Sequence, residues 1–130
     1  MSDEKDRVIA DLMVRLANYA QGITLALSAL PIPMSLPQED GTHLIRDFTP
    51  AVVRAYSIVD EQPIPVEQQA TASTALLFWI NAAEMIVAYR ISGERHRADA
   101  ALLSMMTGEP LLAELIDFLI DPEGWEPVED

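Results

Sequence analysis

The stretch from Ala70 to Ile91 (ATASTALLFWINAAEMIVAYRI) constrains what this chain can fold into more than any other. Wound as an α-helix, it points Leu77, Phe78, Trp79, Ile80, Met85, Ile86, Val87 and Ile91 in every direction. A helix that is apolar all round is either a membrane span or the central rod of a bundle. Its longest uninterrupted apolar run is Ala75–Ile80, and Asn81 and Glu84 stand near its middle. A bilayer asks for about 20 mostly apolar residues, and a carboxylate near its centre costs several kcal/mol. We therefore expect the core helix of a soluble bundle and no membrane partner.

The rest of the chain supplies amphipathic helices to surround it. Residues 3–30 read as one long helix of about 42 Å at 1.5 Å per residue. Ile9, Leu16, Ile23 and Leu30 recur every seven positions, with Leu12 and Tyr19 three further on and Leu27 four on. Such a heptad seam serves either packing within a bundle or a dimer, and we expect a homodimer through Ile9, Leu12, Leu16, Tyr19, Ile23, Leu27 and Leu30. Gly22 inside this helix points to a close helix crossing. Pro31 and Pro33 end it, and residues 31–41 form a proline-punctuated linker. After a short turn over 42–48, Thr49-Pro50 has the form of a helix start, with threonine as cap and proline in the first position. That helix would run over 50–59. Pro65 opens the central helix (about 65–92), and Gly93 stops it.

Two more helices are expected, over 94–107 and 109–120, separated by Gly108 and by Pro110 as an opening residue. In the last helix Glu114, Asp117 and Asp121 line up as an acidic stripe. The apolar arc opposite spans about 220°, whereas one neighbour needs only about 100°. We therefore expect this end to bind a partner, with Leu112, Leu115 and Leu119 as anchors and Glu114, Asp117 and Asp121 meeting basic residues. The fold expected is thus all-α: a bundle of four to five helices around the central one, as a single domain over 1–121. An acidic, irregular tail over 122–130 follows, with Trp125 its only anchor.

Half of the 130 residues are apolar, which argues against disorder despite a formal charge of −13. Residues 109–130 carry eight acidic and no basic side chains, and residues 1–108 carry thirteen and eight. This balance disfavours direct binding to nucleic acid or to an anionic membrane. Cysteine is absent, so there is neither a disulfide framework nor a thiolate metal site. The charged start does not have the form of a secretory signal, and we expect a cytoplasmic protein.

Few residues carry the pattern of chemistry. Asn81 and Glu84 form a polar pair one turn apart on the apolar helix. We expect both to be buried, with Glu84 paired to Arg46 or Arg54; a carboxylate in apolar surroundings can otherwise serve as an acid or base. Arg90, Arg95, His96 and Arg97 form a basic patch, which complements a helix C-terminus or receives an acidic segment. His43 and His96 belong to no metal motif. No serine sits in a Gly-x-Ser-x-Gly turn, and the five glycines are isolated. Met13, Met34, Met85, Met105 and Met106 are read as core filler, with only Met34 exposed.

We expect no cofactor and no enzyme. The reading carried forward is a small acidic interaction module, a bacterial regulator or antagonist that occludes a partner protein. The alternatives are a nucleic-acid mimic filling a basic groove and a small-molecule enzyme or ligand pocket built on Glu84 and Asn81.

Overall fold

The structure, a computed structural model, describes residues 2–37 and 43–121. Among these, α1 (Ser2–Ser28), α2 (Leu44–Ile58), α3 (Val66–Ser92) and α4 (Arg95–Ile120) pack as an all-α bundle, with a short 3-10 turn over Val59–Glu61. Helix α3 packs against each of the other helices, as its all-round apolarity requires. Its buried positions, Ala72, Ala75, Leu76, Trp79, Ala82, Ala83, Ile86 and Tyr89, alternate pairs of small and pairs of large side chains. The alanines let neighbouring backbones approach, and the large side chains fill the space between them.

Trp79 marks the centre. It is fully buried, donates from Nε1 to the Leu16 carbonyl at 3.1 Å, and meets Phe48 edge-on at a centroid distance of 5.3 Å. Three helices thus converge on one side chain. Tyr19 on α1 likewise donates to the Ala75 carbonyl on α3. Leu16 facing Trp79 and Tyr19 facing Ala75 make α1 and α3 antiparallel. Glu4 beside Arg95 and Arg15 beside Glu109 make α1 and α4 parallel. The four-residue loop 62–65 turns α2 back into α3. Helices α1, α2 and α4 therefore all run against α3.

The segment that follows α1 is pinned close to the end of that helix. The Gln62 side chain, itself buried, accepts from the Ile32 N–H at 3.1 Å and donates to the Ile32 carbonyl at 2.7 Å. Met34 donates from its N–H to the Leu27 carbonyl and packs on the core, so it is half-buried rather than exposed. Among the described residues, Met106 on α4 is the exposed methionine.

Two helix boundaries differ from the sequence reading, for the same reason. Gly108 does not break a helix, and Pro110 does not open one: α4 runs through both. A proline inside a helix costs about 3 kcal/mol, but burying a leucine returns about 1.5–3 kcal/mol. The continued helix buries both Leu112 and Leu115. Similarly α2 starts at Leu44 and carries Pro50 inside it, because Leu44 and Phe48 are buried on the same face as Val52 and Ala55. Gly93 does end α3, with φ at +72° and its N–H on the Tyr89 carbonyl at 2.7 Å.

Gly22 and Gly108 explain how α1 and α4 come so close. A Cβ on Gly22 would lie 2.7 Å from Leu112 Cδ2. One on Gly108 would fall on the Tyr19 hydroxyl and 2.8 Å from Phe78 Cβ. The close crossing expected at Gly22 is present, and Gly108 is its counterpart across the interface.

Candidate interaction surface

Three neighbours cannot enclose a helix. Leu16, Tyr19 and Phe48 meet α3 at Trp79 and Ala75, and α4 meets it at Asn81 and Phe78. The face left over carries Val66, Ala70, Ser73, Leu77, Ile80, Glu84, Val87 and Ile91. These positions alternate steps of four and three along the whole helix, the spacing of a coiled-coil seam. Val66 is 76% exposed, Leu77 47%, Val87 37% and Ile91 79%, and Ala70 and Glu84 are exposed too. Ser73 and Ile80 are half-buried. Leu103 of α4 is exposed too.

The polar pair of α3 is therefore split. Asn81, half-buried, donates from Nδ2 to the Ser104 hydroxyl at 2.7 Å and ties α3 to α4. Glu84 is exposed, contrary to the buried ion pair expected. Its position on the helix points it away from all three neighbours, and Arg46 instead pairs with Asp47 at 2.9 Å. With Glu84 turned to solvent and Asn81 turned to Ser104, the acid–base pocket on Glu84 and Asn81 is not assembled.

The proposed dimer seam is also reassigned. Leu12, Leu16, Tyr19, Ile23, Leu27 and Leu30 are buried within the single chain, and Ile9 packs half-buried against the same core. Tertiary packing inside the bundle uses up the seam, leaving Val14 and Leu25 exposed on the opposite side of α1. The anchors assigned to the C-terminal segment meet the same fate. Leu112 and Leu115 are buried, and Leu119 is half-buried against the core. Their wide apolar arc is covered by α1 on one side and α3 on the other. Glu114, Asp117 and Asp121 remain exposed. Residues 122–130, with the rest of the acidic tail and Trp125, lie outside the described residues.

The basic patch is a mixed-charge cluster. Arg95 lies 3.2 Å from Asp99 and 3.9 Å from Glu4, Arg97 lies 3.3 Å from Glu94, and His96 lies 3.9 Å from the same carboxylate. Arg90 is exposed in the last turn of α3, where its charge suits the helix dipole. Glu4, Lys5, Tyr89, Gly93 and Arg95 line an open depression at this end. Sharing so many carboxylates, the patch is a weak anion site.

Topology sorts these charges along the bundle. Lys5, Arg7, Arg46, Arg90, Arg95 and Arg97 belong to the end where α1, α2 and α4 start and α3 finishes, together with Asp3, Glu4, Asp6, Asp47, Glu94 and Asp99, so that end is of mixed charge. Asp60, Glu61, Glu67, Glu114, Asp117 and Asp121 belong to the other end.

Two polar groups on the α1–α4 side complete the description. Arg15 and Glu109 form a two-toothed ion pair at 2.6–3.2 Å, partly open to solvent, and that hydrogen bonding holds the guanidinium in its charged form. Tyr19 has its ionisation pushed well above the ordinary value, first by burial and then by the Glu109 charge. It serves as a neutral hydrogen-bond donor.

By length and composition α3 is apolar enough to cross a membrane. In this fold its apolar surface is divided between three packed neighbours and the open stripe. Compared with known proteins, the chain matches no family model, no curated protein sequence and no solved structure.

Proposed function

We propose that the protein is a protein–protein interaction module of the regulator or antagonist kind, which binds another protein chain along the outer face of α3. The observation that carries this reading is the stripe from Val66 to Ile91: a full-length helix face with coiled-coil spacing, apolar at most positions and exposed. An amphipathic helix laid along such a face buries alternate knobs in the spaces between them. At their fractional exposures, Val66, Leu77, Val87 and Ile91 would contribute about 5 kcal/mol when covered, and a matching partner face as much again. Association itself costs about 4–15 kcal/mol, so the rim must contribute and the affinity is of moderate class. Steric occlusion of the partner's surface is the mechanism, and the charged ends of the bundle steer the encounter.

The test is affinity capture from cells of the source organism with three forms of the chain. Wild type and Val14→Glu, altered on the far side of α1, should retain the same partner; Leu77→Glu should lose it while keeping its helical circular dichroism. A partner held equally well by Leu77→Glu would place the binding surface elsewhere.

A further inference from the structure

The stripe on α3 has a register that identifies its occupant. We infer that a second copy of this chain packs on it, antiparallel, about a two-fold axis passing between Leu77 and Ile80. The inference rests on the reading of α3 as the interaction face and names the partner of that face.

The argument is one of pairing. Superposing the stripe on its own reverse brings Val66 level with Ile91, Ala70 with Val87, Ser73 with Glu84, and Leu77 with Ile80. Each apolar residue meets an apolar one. The one carboxylate in the stripe meets the one hydroxyl, which can donate to it. No other symmetric arrangement does this. In a parallel pair Glu84 would face Glu84 across a desolvated seam, where like charges repel strongly.

Charge along the bundle favours the same arrangement. The chain carries a formal −13, so two copies repel least when their acidic ends are kept apart. An antiparallel pair places the acidic end bearing Asp60, Glu61 and Glu67 beside the partner copy's mixed-charge end, where Arg90, Arg95 and Arg97 stand among Glu4, Glu94 and Asp99. A parallel pair would set the acidic ends side by side.

The experiment uses the whole chain. Sedimentation equilibrium from low micromolar to near-millimolar concentration should give a mass approaching twice 14.4 kDa. Leu77→Glu and Ile91→Glu should each raise the dissociation constant about tenfold or more; Ile91 is exposed enough for its variant to fold whatever Leu77→Glu does. Orientation is read by cross-linking, which the absence of native cysteine makes unambiguous. Ala70→Cys and Val87→Cys should each stay uncross-linked alone and form a disulfide-linked dimer when mixed and oxidised, because Cα atoms more than about 7 Å apart cannot be bridged. Cross-linking of Ala70→Cys with itself would mean a parallel pair and overturn the inference. A monomer at every concentration would also overturn it, while leaving the interaction face intact if Leu77→Glu still loses a captured partner. A dimer indifferent to both glutamate variants would remove the stripe from both readings.

Discussion

Replacing Gly108 with alanine should destabilise the protein, although alanine is the better helix former by about 1 kcal/mol. The outcome turns on the space at the α1–α4 crossing. The added methyl would fall on the Tyr19 hydroxyl and lie 2.8 Å from Phe78 Cβ, and neither neighbour is a free chain end. Tyr19 is buried and holds the Ala75 carbonyl, and Phe78 is fixed at its backbone. Overpacking of this kind costs about 1–3 kcal/mol, and turning the hydroxyl away from its acceptor leaves a buried group unpaired at about 1–3 kcal/mol more. Setting the helix gain against these, we expect a net loss of about 2–4 kcal/mol. For a domain of this size that lowers the melting temperature by roughly 10 °C. Urea unfolding followed by circular dichroism measures it. The mechanism is checked by a cycle with Tyr19→Phe, which alone should cost about 1 kcal/mol but should recover stability in the Gly108→Ala background. If Gly108→Ala equals or exceeds wild type, or if the two changes simply add, the close approach of Tyr19 to α4 is not what fixes this position.

Three further outcomes follow from the same geometry. Gln62→Ala removes both hydrogen bonds to Ile32 and should cost about 1–3 kcal/mol, with faster amide exchange at Ile32 as its local signature. Glu84→Gln should leave monomer stability within about 0.5 kcal/mol of wild type in chemical denaturation, since the carboxylate is exposed. Tyr19 ionises above its ordinary value of 10.0 in the folded chain, so its contribution to stability is fully present below that pH and is lost as the pH rises beyond it. Tyr19→Phe should flatten the alkaline decline in unfolding free energy; an unchanged slope would show that the hydroxyl stays wet.

The centre of this fold could be read from residue types, because a helix that is apolar on every side has only a few possible environments. Gly93 and Gly22 were also legible: one supplies a backbone conformation and the other a missing Cβ, and both roles belong to glycine. Gly108 and Pro110 misled because their local preferences are real but smaller than the burial of Leu112 and Leu115 that opposes them. The heptad in α1 was a correct period with an undetermined partner: spacing shows that something covers a face and does not show whose surface it is. The open stripe of α3 was hidden for the opposite reason. When every face of a helix is apolar, only the number and placement of its neighbours decide which one stays uncovered, and Glu84 marked that face from within.

The parallel run of α1 beside α4 has a mechanical consequence. The start of α1 and the end of α4 lie at opposite ends of the bundle, so tension applied between them slides one helix along the other instead of peeling them apart. Under such shear the Arg15–Glu109 pair, the Tyr19 ring seated over Gly108 and the Leu112 side chain seated over Gly22 bear load together. The two seats act as detents, because the helices cannot advance without lifting a ring over one shoulder and a leucine over another. Tension between the start of α1 and the start of α4, which share an end, would strain the same contacts one after another. A molecule built this way is stiff along one axis and yields readily across it.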